Sequence, residues 1–288
     1  MNTHATQLRQ VVIGALNTSE LISFLTGAGI SAESRIPTFR GPEGYWTVGS
    51  RNYQPSEIAT HEMLLHKPKE VWKWFLFRRG VCQDALPNPG HFAIAEMEAL
   101  LSNRLRVITQ NVDGLHLRAG NTLERTYQVH GNLNYMRCSR DCSPAAYPIP
   151  EDMHKKARGE DLSGAEWDML MCPACGCMAR PNVLLWDEYY DEQHYKFDSS
   201  LHAASKTSLL IIVGTTGSTN LPHHVVANVL RRGGTIIDVN IETSMFSKVA
   251  LRSAGGMFIQ GNSSDILPAI ADLIKVEIAT QSKSGPAS

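Results

Sequence analysis

Residues 26–41 read TGAGISAESRIPTFRG and follow an apolar run at 21–25. A buried strand that ends in small residues is the opening of a βα unit whose turn can accept a ligand. Gly27, Ala28 and Gly29 carry almost no side chain. Their backbone N–H groups can approach a phosphate closely, or they simply close a tight strand-to-helix turn. The continuation is longer than such a turn needs, and it brings Pro37, Phe39 and Arg40. An aromatic there can shield a reactive centre from water, and a guanidinium can pair with phosphate oxygens through two parallel bonds.

A second stretch, 109–116, reads TQNVDGLH and follows another apolar run, Leu105–Thr109. It presents Gln110, an amide (Asn111), a carboxylate (Asp113) and an imidazole (His116). Ligands of open parallel sheets bind at the carboxyl ends of strands, so both stretches should face one crevice. Asn111 and Asp113 also suit the cap of a following helix. His116 reads as a structural hydrogen-bonding residue.

The surrounding pattern extends the α/β reading. Helical periodicity is expected at 6–16, 69–79 and 91–101. After an irregular region, residues 209–213 form a continuous apolar run, as in a strand buried on both faces. It ends in GTTGSTNLP, where Gly214, Thr215 and Thr216 offer N–H and hydroxyl groups to phosphate. A helix at 223–232 closes on Gly233–Gly234, and a strand at 235–239 ends in Asn240-Ile241-Glu242. A last strand, Met257–Gln260, precedes a helix at 264–275. Strands alternating with helices predict a Rossmann-like, doubly wound parallel sheet. No internal repeat is present.

Residues 135–178 break this pattern, being rich in Cys, Pro and charge with no sustained period. They are expected to form an inserted small module held by something other than a hydrophobic core. The main domain is then discontinuous, 1–134 and 179–275, and the polar tail 276–288 is expected to be disordered. Five of the six cysteines lie between Cys138 and Cys177. Cys138-x₃-Cys142 and Cys172-x₂-Cys175 are two pairs separated by 29 residues, the spacing of a tetrahedral Cys₄ structural zinc site. Cys177 is a spare or a substitute ligand, and Cys82 is expected to pack as a small hydrophobe.

A chain of 288 residues with 43% hydrophobic and 19% charged residues is an ordinary globular composition. The net charge of −1 gives no global field towards nucleic acid or anionic membrane. No apolar run approaches the roughly 20 residues of a membrane span, and the first residues lack the pattern of a signal peptide. A cytoplasmic protein with neither a direct nucleic-acid partner nor a membrane partner is the expectation.

Taken together, G-A-G-x-S…I-P-x-F-R, T-Q-N-x-D-x-L-H, His130–Gly131 and the paired cysteines resemble the sirtuins, NAD-dependent protein deacylases. The resemblance runs over roughly residues 8–273. It implies NAD as co-substrate, structural zinc and an acyl-lysine protein or peptide as substrate, with nicotinamide and O-acyl-ADP-ribose as products. By the same resemblance His130 is the general base, and Asn111 serves catalysis by holding ribose hydroxyls or a water. Gln110 reaches the ribose, Asp113 the nicotinamide carboxamide, and Asn240 and Glu242 the adenosine ribose.

Residues 180–188 read RPNVLLWDE where sirtuins have R-P-x-V-V-x-F-G-E, a segment that pairs with the substrate peptide as an added strand. Val183 then contacts the acyl-lysine, and Trp186 either lines that site or fills the core. Sirtuins that remove acidic acyl groups carry a tyrosine and an arginine where Phe75 and Arg78 stand here. Arg78 is a carboxylate partner or a solvated cation, and the missing phenol favours acetyl-lysine. Arg35 stands where the family has glycine, which predicts strain if that position needs φ > 0. An alternative keeps the NAD site but changes the acceptor: an NAD glycohydrolase or ADP-ribosyltransferase, as among sirtuin-like proteins of antiphage defence.

Overall fold

The computed structural model describes residues 3–38, 49–50 and 52–284; Phe39 and Arg40 lie outside them. Nine strands form among the described residues: β1 (Leu21–Thr26), β2 (Leu105–Thr109), β3 (Thr126–Gln128), β4 (Gly131–Cys138), β5 (Ala146–Pro148), β6 (Ala179–Val183), β7 (Thr207–Val213), β8 (Thr235–Asn240) and β9 (Met257–Gln260). Six of them make a wholly parallel sheet in the order β3-β2-β1-β7-β8-β9. Numbered among themselves these strands run 3-2-1-4-5-6, the doubly wound order of dinucleotide-binding folds. The winding reverses between β1 and β7, so the turns after these two strands frame the crevice of the sheet.

Alternating side chains explain why the sheet is covered on both faces. Leu209, Ile211 and Val213 of β7 join a core with the helices Thr3–Leu16, Pro89–Leu101 and Ser263–Ser284. Leu210 and Ile212 point the other way, to the helices Asn220–Arg231 and Met245–Ala250 and to Ala204 of Phe197–Ser205. A strand buried on both faces must be apolar throughout, which is why β7 reads as an unbroken run.

β4, β5 and β6 form a separate antiparallel sheet in the order β5-β4-β6. It begins at Gly131 and ends at Val183, so it takes residues from both sides of the 135–178 segment. It also has an apolar core, contrary to the expectation. Trp72 and Leu76 of the helix Pro68–Asp84 pack against Met136, Ile149, Met153, Leu170 and Ala179. The Trp72 indole N–H donates to the Ala179 carbonyl at 3.0 Å. Part of this core comes from a distant helix, so the module's own sequence shows no period.

The tail expected to be disordered from 276 is helical to Ser284. Its polar composition hides a buried anchor: Glu277 accepts from Arg9 Nε at 2.6 Å and ties the last helix to the first.

Candidate functional site

The turns after β1 and β7 interlock. Gly27 N–H donates to the Val213 carbonyl at 3.0 Å, and Gly29 N–H to the Gly214 carbonyl at 2.8 Å. A Cβ on Gly29 would lie 2.5 Å from Gly214 Cα. The two backbones touch where side chains would otherwise stand, which is the steric reason for small residues at this crossing.

Over the crossing opens a cleft of about 840 Å³. Gly27, Ala28 and Gly29 line it with Gly214, Thr215 and Thr216, and so do Asn240 and Glu242 from the end of β8. Asn240 Nδ2 donates to the Thr215 carbonyl at 3.3 Å, which joins the β7 and β8 turns into one surface. Ala59, Val112, Val183, Leu185 and Trp186 supply an apolar wall. Gln110, His130 and Tyr190 also face the cleft.

His130 stands at the junction of the two sheets, between the end of β3 and the start of β4. Its carbonyl accepts from Leu184 N–H at 3.0 Å, just past β6. Its Nδ1 lies 2.9 Å from the Gln110 carbonyl, which can only accept, so Nδ1 carries the ring proton. Nε2 therefore presents its lone pair, and the Tyr190 hydroxyl donates to it at 2.9 Å. Tyr190 stacks on the imidazole at 5.8 Å between centroids and on Phe197 at the same distance. Burial lowers the His130 pKa to about 4 against the opposing bond to Gln110, so the ring is neutral at pH 7. Gln110 is held in turn: its Nε2 donates to Thr215 Oγ1 at 3.0 Å and its Oε1 accepts from Thr219 at 3.1 Å.

Asn111 and Asp113 are buried behind the glycine turn and are not among the described residues that line the cleft. Asn111 Nδ2 donates to the Gly27 carbonyl and to Ser31 Oγ, both at 3.0 Å, while its Oδ1 has no partner. Asp113 Oδ1 accepts from Leu115 N–H at 2.8 Å, the first N–H of the helix Leu115–Ala119, whose N-cap is Gly114. Its Oδ2 accepts from Ser31 Oγ at 2.7 Å. Burial raises the Asp113 pKa. Ser31 thus links both residues; in the sequence it stands only as the last residue of the G-A-G-x-S motif, with no role of its own, and Tyr190 was not singled out. Ser31 hides among the small residues of its loop, and Tyr190 lies in a segment with no period.

His116 is structural: Nε2 is 2.9 Å from Thr26 Oγ1 and its ring meets that of His91 edge-on at 5.0 Å.

Val183 lines the cleft, and Trp186 lines it with 51% of its surface exposed, so it does not fill the core. Asp187 caps a helix: its carboxylate accepts from His61 N–H at 2.6 Å and Glu62 N–H at 3.2 Å, at the start of His61–His66. Arg180 and Glu188 pair at 2.8 Å and hold the turn between them. Arg78 is buried on the helix Pro68–Asp84, neither solvated nor among the described residues lining the cleft. Arg35 has φ 64°, the left-handed conformation its position predicted.

The four thiols Cys138, Cys142, Cys172 and Cys175 lie within 4.8 Å of one another. Cys138 and Cys175 are 3.6 Å apart, Cys142 and Cys172 3.7 Å. Zinc–sulfur bonds of about 2.3 Å in a tetrahedron place sulfurs roughly 3.8 Å apart, so the residues fit the ion. Cys177 is not in the cluster; its carbonyl accepts from Cys172 N–H at 2.6 Å. Cys82 is buried far from it, among apolar residues.

The model of the Sir2 family matches residues 27–220. A protein of Leptospira interrogans serovar Lai named NAD-dependent protein deacylase is 35% identical over 254 residues, covering 86% of this chain and 90% of its own. NAD-dependent protein deacylase 2 of Pyrobaculum aerophilum is 34% identical over 261 residues, covering 91% and 94%. Among solved structures, a Sir2 homologue–NAD complex superposes with a TM-score of 0.74 at 28% identity, covering 94% of each chain. An ADP-ribose complex of a mutant Sir2 homologue gives 0.76 at 27% identity, covering 97% of this chain and 98% of the other.

Proposed function

The chain belongs to the Sir2 family, and from that premise we propose that it is an NAD-dependent protein deacylase acting on acyl-lysine. The observation that carries this reading is His130, a neutral imidazole with its Nε2 lone pair turned into a cleft of two chemistries. Glycine turns and hydroxyls form one part of the wall, and apolar side chains form the other.

In this reading Ala28, Thr215 and Thr216 offer backbone N–H and hydroxyl groups to the pyrophosphate, while Gly27, Gly29 and Gly214, whose own N–H groups are spent on carbonyls and not on phosphate as the sequence suggested, let it approach the turn closely, with Asn240 and Glu242 on the adenosine ribose. Phe39 and Arg40 belong to the same site. Gln110 meets the nicotinamide riboside end at the cleft wall; Asn111 and Asp113 lie behind that wall, so their part in this reading requires the glycine turn to move aside, and the unpartnered Asn111 Oδ1 is then the free acceptor. The acyl oxygen displaces nicotinamide at the ribose C1′. A ribose hydroxyl then attacks the resulting imidate, with His130 taking its proton; lysine leaves and a water adds to the acyl carbon, which frees the C1′ oxygen and gives O-acyl-ADP-ribose. A base held neutral at pH 7 suits that step.

β6 is an edge strand beside the cleft, so an extended peptide can add to it as a further strand. Val183 and Trp186 contact the acyl-lysine. The acyl wall is apolar and Arg78 is buried and not among the described residues that line it, which supports an uncharged acyl group, acetyl first. The change at Asp187 gives no support to hydrolysis of NAD or ADP-ribosyl transfer, since its carboxylate serves a helix start. Zinc held by the Cys₄ cluster is structural, because all four positions are filled by thiolate. A cytoplasmic location keeps those thiols reduced. No helix among the described residues is long and apolar enough to cross a membrane.

The test is incubation with NAD, with and without an acetyl-lysine peptide, with nicotinamide and O-acetyl-ADP-ribose quantified by mass spectrometry and His130→Ala as control. Peptide-dependent release of both products is expected. Nicotinamide and free ADP-ribose formed without peptide would overturn the reading.

A further inference from the structure

The Tyr190 hydroxyl occupies the one lone pair on His130 that faces the cleft. Nδ1 is committed to the Gln110 carbonyl, so the ring cannot turn its other nitrogen to the substrate without breaking that 2.9 Å bond. Tyr190 itself is held: it is sandwiched between His130 and Phe197, with interplanar angles of 27° and 22°. A base whose acceptor atom is already engaged by a fixed hydroxyl either loses that hydroxyl or works through it. The double stack resists withdrawal of the ring, and Tyr190 lines the cleft, where its oxygen, also hydrogen-bonded to Thr219, has a second lone pair for a substrate group.

We propose that Tyr190 is a proton relay to His130. In the step that follows nicotinamide departure, the ribose hydroxyl gives its proton to Tyr190 Oη as its oxygen bonds to the imidate carbon and the C=N π pair moves onto the lysine-derived nitrogen. Tyr190 simultaneously gives its own hydroxyl proton to His130 Nε2. One ribose O–H and one tyrosine O–H break, one tyrosine O–H and one imidazole N–H form, and Tyr190 ends neutral. No free tyrosinate is needed, which matters because burial raises the Tyr190 pKa.

This inference rests on the reading of His130 as the base. It predicts a split that a structural role would not produce. Displacement of nicotinamide precedes the proton transfer and is reversible, so labelled nicotinamide exchanges into NAD whenever acyl-peptide is bound. Tyr190→Phe removes the hydroxyl and keeps the ring between His130 and Phe197.

The experiment measures three quantities on wild type, Tyr190→Phe and His130→Ala: O-acetyl-ADP-ribose formation, peptide-dependent nicotinamide exchange, and NAD affinity by calorimetry. For Tyr190→Phe a roughly 10- to 100-fold loss of product formation is expected, within the range of general acid–base effects. Exchange and NAD affinity should stay within about threefold of wild type, which also shows that the variant folds. Product formation at the wild-type rate, or loss of product and exchange in equal proportion, overturns the relay. His130→Ala separates the two readings: if it retains full product formation, the assignment of the base fails, whatever Tyr190→Phe does.

Discussion

Arg35 lies at φ 64°, where the Cβ of an L-residue crowds its own backbone at a cost of about 1–2 kcal/mol. Its side chain is exposed, so little packing opposes a change. Arg35→Gly should raise stability by about 0.5–1 kcal/mol once glycine's larger unfolded-state entropy is subtracted. The readout is a higher urea midpoint at an unchanged m-value; a lower midpoint would show that the arginine is held by contacts worth more than the strain. Gly29→Ala should do the opposite, because its Cβ meets the Gly214 backbone and forces the two turns apart. NAD affinity by calorimetry should fall at least tenfold, and wild-type affinity would mean the turns can separate without disturbing the site. Both positions were legible in the sequence, since each is a demand of the local backbone. Tyr190 and Asp187 were not, because their meaning depends on His130, 60 residues away, and on His61, 126 residues away.

The small antiparallel sheet is held by two devices, the thiol cluster and the core shared with Pro68–Asp84. Only the first was visible in advance, because ligand spacing is a local pattern, whereas the partner of Ala179 is Trp72, 107 residues earlier. The pairing of thiols across β4 and the 172–175 turn makes zinc a cross-link of the module. Cys142 and Cys175 are exposed, so a chelator has access. One zinc per chain is expected by elemental analysis. Its removal should lower Tm by about 5 °C or more, roughly 3 kcal/mol for a chain of this size. Cys142→Ser should reproduce the loss and Cys177→Ser should not, since the latter thiol is outside the cluster. Equal effects of the two substitutions in a thermal scan with metal analysis would show that Cys177 is a ligand after all.

The doubly wound order itself followed from alternating strands and helices, whereas the way the molecule answers acid did not, because that depends on burial. Three histidines are held in the neutral form, His91 and His116 fully buried and His130 half-buried in the cleft wall. His91 is pushed down to about 2 by burial and by His116, and burial lowers His116 and His130 to about 4. His91 lies 3.4 Å from Ser31 Oγ and His116 2.9 Å from Thr26 Oγ1, so the first two tie helices to the loop that frames the cleft. In the unfolded chain each takes up a proton near pH 6.5, while the folded chain does not until far lower. The unfolded state therefore binds more protons below that value, and stability is lost as pH falls from about 6.5 towards 4. Each histidine contributes up to about 1.4 kcal/mol per pH unit, so three give a slope of about 4 kcal/mol per unit. Loss of zinc from protonated thiols acts in the same direction, so the wild-type slope alone does not isolate the imidazoles. The difference does: His116→Asn should flatten urea-derived stability between about pH 6.5 and 5 by about 1.4 kcal/mol per unit relative to wild type. Parallel curves would mean that His116 is protonated in the folded protein, its bond to Thr26 notwithstanding.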